Sequence, residues 1–204
     1  MVKNNEREYL IETECLTEII RNMENNISSC IPIMLDRIVK RALYRVDNSE
    51  NSKKQWIRIM EGDIECTGET RCTITYKDRK YDMSEENYAL LKVDNFDDAT
   101  HLFDLLKYKR DSYQEHRRSK FVCDLDDVKY MVRFDIWPKI EEITFVGITE
   151  ISAADNDDVV GFVSALGIDN NSKGGNGIDV DSEYKKRFGK SASEIPIVSF
   201  DLDF

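Results

Sequence analysis

The chain has 204 residues, 41% of them apolar, and a formal net charge of −11. The apolar share is enough for a packed core and excludes wholesale disorder. The acidic balance argues against a general nucleic-acid surface, because phosphate backbones need a basic footprint. No apolar run approaches the roughly 18 residues of a membrane-spanning helix. The opening Met-Val-Lys-Asn-Asn-Glu has no apolar stretch of the signal-peptide kind. The 5 cysteines (Cys15, Cys30, Cys66, Cys72, Cys123) are scattered, odd in number and contain no CxxC pair. They read as reduced, mostly buried thiols rather than a disulfide framework or a zinc site. The expectation is one soluble cytoplasmic domain spanning 1–204, with no membrane or nucleic-acid partner and an open oligomeric state.

In chain order, Tyr9-Leu10-Ile11 suggests a first strand. Cys15–Asn25 then places Leu16, Ile19, Ile20 and Met23 at helical spacing. Ile38–Val46 has strand propensity and is followed by a polar turn over 47–52. Gln55–Glu61 is another strand, and Glu61-Gly62-Asp63 reads as a turn. Arg71–Lys77, rich in β-branched and aromatic residues, is the clearest strand of all.

Tyr88–Val93 reads as a strand, and Asp97–Lys107 as a helix capped by Asp97, with Ala99, Leu102, Phe103, Leu105 and Leu106 in its apolar stripe. Strands follow over Tyr108–Glu115, Lys120–Leu125, Met131–Ile136 and Ile143–Ile148. A helix over Ala154–Leu166 has Gly167 just past its end. Asp169–Gly177 reads as a flexible loop, and a short tail around Tyr184–Gly189 follows. No GxGxxG or P-loop glycine pattern is present. The predicted fold class is α+β: an antiparallel β-barrel, or tunnel, built from two strand–helix–strand halves with flanking helices. Closure would remove exposed strand edges and leave a lumen.

Charges recur in the middle of these strands. Arg41 precedes Ala42-Leu43-Tyr44, and Arg58 lies between Ile57 and Ile59. Lys77 ends Thr-Ile-Thr-Tyr, Arg110 shares a strand face with Gln114, and Arg118 precedes Lys120-Phe121-Val122. An exposed strand face explains any one of them. Their recurrence on strand after strand favours a wet cavity lined by cations. Charges more than about 8 Å apart are largely screened in physiological salt, so such a cluster can hold an anion within an acidic protein. His101 and His116 read as surface histidines. Asp124-Leu125-Asp126-Asp127 reads as a turn, and Asp155-Asn156-Asp157-Asp158 as a helix start. Both lack the glycine and terminal glutamate of a calcium loop.

Several segments carry a resemblance. They are Trp56-Ile57-Arg58-Ile59, Thr73-Ile74-Thr75-Tyr76-Lys77, Val93-Asp94-Asn95-Phe96, Tyr113-Gln114-Glu115-His116-Arg117-Arg118 and Asp135-Ile136-Trp137-Pro138-Lys139-Ile140. With the helix to Gly167 and the tail Tyr184–Gly189, they resemble CYTH-domain proteins, in the right order and over most of the chain. That superfamily includes class IV adenylate cyclases, thiamine triphosphatases and other triphosphate tunnel enzymes. The resemblance implies a tunnel in which Arg41, Arg58, Lys77, Arg110 and Arg118 clamp the phosphates of a small anionic ligand. Arginine suits that role because its planar fork bonds phosphate oxygens in two places. It also implies Mg²⁺ or Mn²⁺ accompanying the triphosphate, held by glutamates of which Glu6 and Glu8 are the candidates.

The acidic side departs from the family pattern. Leu10 stands where the first-strand lysine belongs. Tyr88-Ala89-Leu90-Leu91-Lys92 lacks the expected acids, Phe145 and Gly147 stand where the last strand should carry them, and Met60 replaces the second arginine of the hairpin. The resemblance therefore implies a protein that binds a nucleotide triphosphate or polyphosphate, with a degraded metal site and weak or absent catalysis. One alternative is an active metal-dependent triphosphatase or class IV-type adenylate cyclase, using Glu6, Glu8 and acids such as Glu61, Asp63 or Glu115. Another is a protein-interaction scaffold without a ligand.

Overall fold

A computed structural model describes residues 6–46, 55–64, 69–79, 86–152, 159–168, 172–174 and 178–202. In chain order the elements are β1 (Arg7–Glu12), a 3-10 turn (Thr13–Cys15), α1 (Leu16–Asn26), β2 (Ser29–Arg45), β3 (Gln55–Ile64) and β4 (Thr70–Arg79). They continue with β5 (Glu86–Val93), α2 (Phe96–Leu105), β6 (Arg110–Leu125), β7 (Val128–Ile136), β8 (Ile143–Glu150) and α3 (Val159–Ala165). Last come β9 (Ser172–Gly174), α4 (Val180–Phe188), a 3-10 turn (Ala192–Glu194) and β10 (Ile197–Val198). The α+β class with antiparallel strands is as expected. The chain divides into two compact units, one of residues 1–37 and 117–183, the other of 38–116 and 184–204. The long strands β2 and β6 each contribute one stretch to either unit.

In the first unit β6, β7, β8, β1 and β9 are successive neighbours. The β6–β7 hairpin turns at Asp126 and Asp127, both in the left-handed region (φ 52° and 63°). A two-residue loop with positive φ at both positions matches the twist of the flanking strands. One face of this sheet packs Ile11, Phe121, Val132, Phe134, Val146 and Ile148 against Ile19 and Met23 of α1 and Phe162 and Val163 of α3. The spacing of Ile19 and Met23 is what put α1 on the core. Asn22 and Asn26 of α1 donate to the carbonyls of Leu166 and Ala165, each at 3.0 Å. They thereby satisfy acceptors that the end of a helix leaves open.

In the second unit β5, β4, β3 and β2 are successive antiparallel neighbours. Ala42, Tyr44, Ile59 and Cys72 pack against Phe96, Ala99 and Phe103 of α2. Tyr44 and Phe103 lie 5.1 Å apart between ring centroids.

Several expectations are corrected. Glu61-Gly62-Asp63 is not a turn: β3 runs through it, with a register shift between Glu61 and Asp63. Gly62 takes φ 93°, and a Cβ there would fall 2.5 Å from the Ile38 carbonyl oxygen, so only glycine fits this bulge. Asn95, rather than Asp97, caps α2 by accepting from the Asp98 N–H at 2.7 Å. The two strands expected over 108–125 are one, because the polar run His116–Ser119 continues the alternation instead of breaking it. His116 is fully buried, not superficial. Ser172–Gly174 pairs with β1, so that part of the expected loop is a strand. The tail is the end of α4, closed by Gly189 at φ 74°.

The sulfurs of Cys30 and Cys123 are brought into contact, although the cysteines look scattered in sequence. They are 93 positions apart in sequence, so spacing gave no sign of the pairing. Cys15 and Cys72 are free. The turn over 47–52, Cys66 and the start of the third helix lie outside the described residues. Among the described residues no helix is long and apolar enough to cross a membrane.

Candidate functional site

Strand pairing decides which charged residues share a face. In the second unit Arg41 is opposite Met60, Leu43 opposite Arg58, and Trp56 opposite Lys77. Arg58 is opposite Thr75 and Met60 opposite Thr73. Because Ala42, Ile59 and Cys72 point toward α2, the alternation of side chains puts Arg41, Arg58 and Lys77 together on the other face. Arg58 is diagonal to both Arg41 and Lys77, and diagonal cross-strand neighbours are about 7–8 Å apart. Thr73 and Thr75 are buried on the same face. Lys92, the partner of Thr73 on β5 and noted in the sequence only as standing where an acid is expected, adds a further cation.

The second-unit stretch of β6 follows the same logic. Tyr113 packs toward the α2 cluster, its ring 6.2 Å from that of Phe96. Ser112, Gln114 and His116 therefore turn away from α2, and all three are buried. Ser112 donates to the carbonyls of Ala192 and Ile195, at 3.1 and 2.6 Å. The Oε1 of Gln114 is buried and has no hydrogen-bond partner among the described residues. A buried acceptor in that state costs free energy unless a ligand or water answers it. Arg110 starts the strand and is exposed.

The first unit presents a different arrangement on the face opposite its core. Arg118 donates to Asp135 through Nε at 2.6 Å and Nη2 at 2.7 Å, a two-point pair with both side chains buried. Arg133 reaches Glu6 at 3.1 Å, Glu8 at 3.0 Å and Asp135 at 3.1 Å. The pairing of β1 with β8 and of β8 with β7 sets Glu8 opposite Gly147, and Gly147 opposite Arg133. Glu8 and Arg133 thus meet across a strand that has no side chain at that point. Burial raises the Glu8 carboxyl above its ordinary range; Arg133 acts in the opposite sense, and Glu6 and Asp135 add to the rise.

Phe145 and Gly147 lie on this same face, by the alternation that sends Val146 and Ile148 into the core. The last strand thus adds no carboxylate to it. Sequence reading named Glu6, Glu8 and Arg118 but missed Arg133 and the role of Asp135. An arginine two residues before an aspartate on one strand face was the available signal.

The acids named for the catalytic alternative have structural partners. Glu61 accepts from the Phe96 N–H at 3.1 Å, at the start of α2. Glu115 accepts from the Tyr113 hydroxyl at 2.6 Å. Burial and then that hydrogen bond push the Tyr113 hydroxyl well above its ordinary range. Asp63 accepts from the Ile64 N–H at 2.9 Å. Among the described residues no group of His, Cys, Asp and Glu side chains is arranged to hold a metal ion.

The elements and their order define an α+β protein with antiparallel strands carrying charged residues on the faces opposite its helices. No protein-family model and no curated protein matches the chain. Solved structures do. A "putative adenylate cyclase" from Vibrio parahaemolyticus aligns with a TM-score of 0.54 at 10% identity, covering 82% of this chain and 92% of that one. The PH1012 protein from Pyrococcus horikoshii OT3 aligns with a TM-score of 0.50 at 15% identity, covering 82% and 94%. The chain shares their fold.

Proposed function

We propose that the chain is a divergent CYTH-like protein that binds a nucleotide triphosphate or polyphosphate and turns it over weakly or not at all. The observation that carries this reading is the gathering of Arg41, Arg58 and Lys77 on one sheet face, where several cationic donors can bond the oxygens of one phosphate chain together. Gln114, buried with an unanswered polar atom, adds a group able to bond a phosphate oxygen once its amide is turned. Arg110, at the exposed start of β6, serves the outer end of the ligand. Arg118 belongs to the clamp in the family pattern, but its fork is bound to Asp135, so its contribution is to order that strand.

The fit to divalent metal is poor. Glu6 and Glu8 are the carboxylates that would hold Mg²⁺ or Mn²⁺, and both are in ion-pair contact with Arg133. Mg²⁺ needs oxygen ligands at about 2.0–2.1 Å and sheds water reluctantly. The second reading, an active metal-dependent triphosphatase or class IV-type adenylate cyclase, is favoured by the name of the Vibrio protein of like fold.

Calorimetric titration with tripolyphosphate, ATP and thiamine triphosphate, each with EDTA or with Mn²⁺, separates the readings. Binding that survives EDTA without product, and that weakens about tenfold or more in Arg58→Ala, is the expected result. Turnover that requires Mn²⁺ would establish the enzyme. Affinities unchanged in both Arg41→Ala and Arg58→Ala would sink the clamp.

A further inference from the structure

We propose that Arg133 is the resident cation of the first unit's carboxylate cluster, so that Glu6, Glu8 and Asp135 are organised by a guanidinium and do not take up a divalent ion. The inference does not depend on which anion, if any, the second unit binds.

The geometry carries it. Arg133 contacts three carboxylates at once: Glu6 just before β1, Glu8 within β1 and Asp135 on its own strand, all between 3.0 and 3.1 Å. Only the Glu8 contact through Nη2 has full hydrogen-bond alignment; the other two are ion pairs, so the guanidinium sits among the oxygens as a shared charge. Asp135 is answered a second time by Arg118. Its oxygens are thereby used before any metal arrives.

Gly147 makes the arrangement possible. A Cβ at this position would lie 2.5 Å from the Glu6 Oε1, 2.8 Å from Arg133 Nη2 and 3.0 Å from its Cζ. Any side chain on β8 here, an acid included, would displace the pair. The missing carboxylate at 147 and the guanidinium lying over it are therefore two sides of one packing choice. Arg133 is only 20% exposed, so a metal entering the cluster would leave a largely buried cation without its partners, which is strongly unfavourable.

The test uses Mn²⁺ as the probe, counted as bound or free by its paramagnetic resonance signal. Wild-type protein is expected to show no saturable Mn²⁺ binding that depends on Glu8. Arg133→Gln removes the charge and keeps a polar side chain. It is expected to bind Mn²⁺ about tenfold or more tightly than wild type, and Arg133→Gln/Glu8→Gln to lose that gain. A folded Arg133→Gln that gains nothing overturns the proposal. So does Glu8-dependent Mn²⁺ binding by wild type. Should Arg133→Gln not fold, melting temperatures of wild type and Glu8→Gln with rising Mn²⁺ decide. Equal responses support the resident cation, and a stabilisation lost in Glu8→Gln refutes it.

Discussion

The two units deploy charge in opposite ways on the sheet faces away from their helices. In the first, arginines and carboxylates interleave: Arg118 with Asp135, and Arg133 with Glu6, Glu8 and Asp135. In the second, the rows Arg41–Met60–Thr73–Lys92 and Leu43–Arg58–Thr75–Leu90 set no acid directly opposite a cation, while Arg45 pairs with Asp111 at 3.0 Å and Asp63 lies opposite Arg71. A face that compensates itself gains rigidity and loses its appetite for ions. A face on which cations outnumber the acids set among them keeps more of that appetite. Strand alternation allows both outcomes; only the identity of the cross-strand neighbour separates them.

That contrast can be broken most severely at Arg118. Arg118→Ala leaves Asp135 buried with one partner fewer, and unfolding in denaturant should show a loss of about 3–5 kcal/mol. A loss below about 1 kcal/mol would mean the first unit is not held by this pair. Gly147→Ala is the next largest. The added methyl meets only the flexible ends of Glu6 and Arg133, so the cost is a displaced, partly exposed ion pair, about 1 kcal/mol. A neutral result would show that the two side chains move aside at little cost.

The second unit should respond differently. Arg58→Met keeps much of the aliphatic bulk and is not half of a buried two-point ion pair, so its stability loss should be well below that of Arg118→Ala, while tripolyphosphate affinity falls. A stability loss as large as that of Arg118→Ala would erase the distinction between the faces.

The smallest effect is a pH dependence at Glu8. Its carboxyl titrates above the ordinary 4.5 in the folded protein, chiefly through burial. A group raised in this way contributes stability that is complete below the unfolded value and is lost as pH rises through the folded one. Glu8→Gln lacks that loss. The melting temperature of Glu8→Gln relative to wild type should therefore climb as pH rises above 4.5, and a flat difference would show that Arg133 fully offsets burial.

Local signals in the sequence carried much of the fold. The β-branched run in 71–77 marked β4, the spacing of Ile19 and Met23 marked α1, and the acid-rich Asp124–Asp127 marked a turn. Where local chemistry misled, a neighbour distant in sequence decided. Gly62 looks like a turn, yet it is a bulge against Ile38. His116–Ser119 looks like a connection, yet it is strand, with His116 and Arg118 buried. Half of the candidate site was legible in the same sense. Arg41, Arg58 and Lys77 could be placed on strands from their apolar neighbours, but their common face needed the β2–β3–β4 register.

By itself, then, the sequence determined the class: apolar periods of two and of about 3.6 residues, punctuated by turn residues, leave few options besides an α+β protein with antiparallel strands. Composition added that any basic site must be local within an acidic chain. The tertiary structure alone decided which charges meet. Glu8 and Arg133 are 125 positions apart, and Cys30 and Cys123 are 93 apart. No local preference encodes such pairs. A one-residue change of register would send each of these side chains to the opposite face, and register is settled by packing the whole sheet.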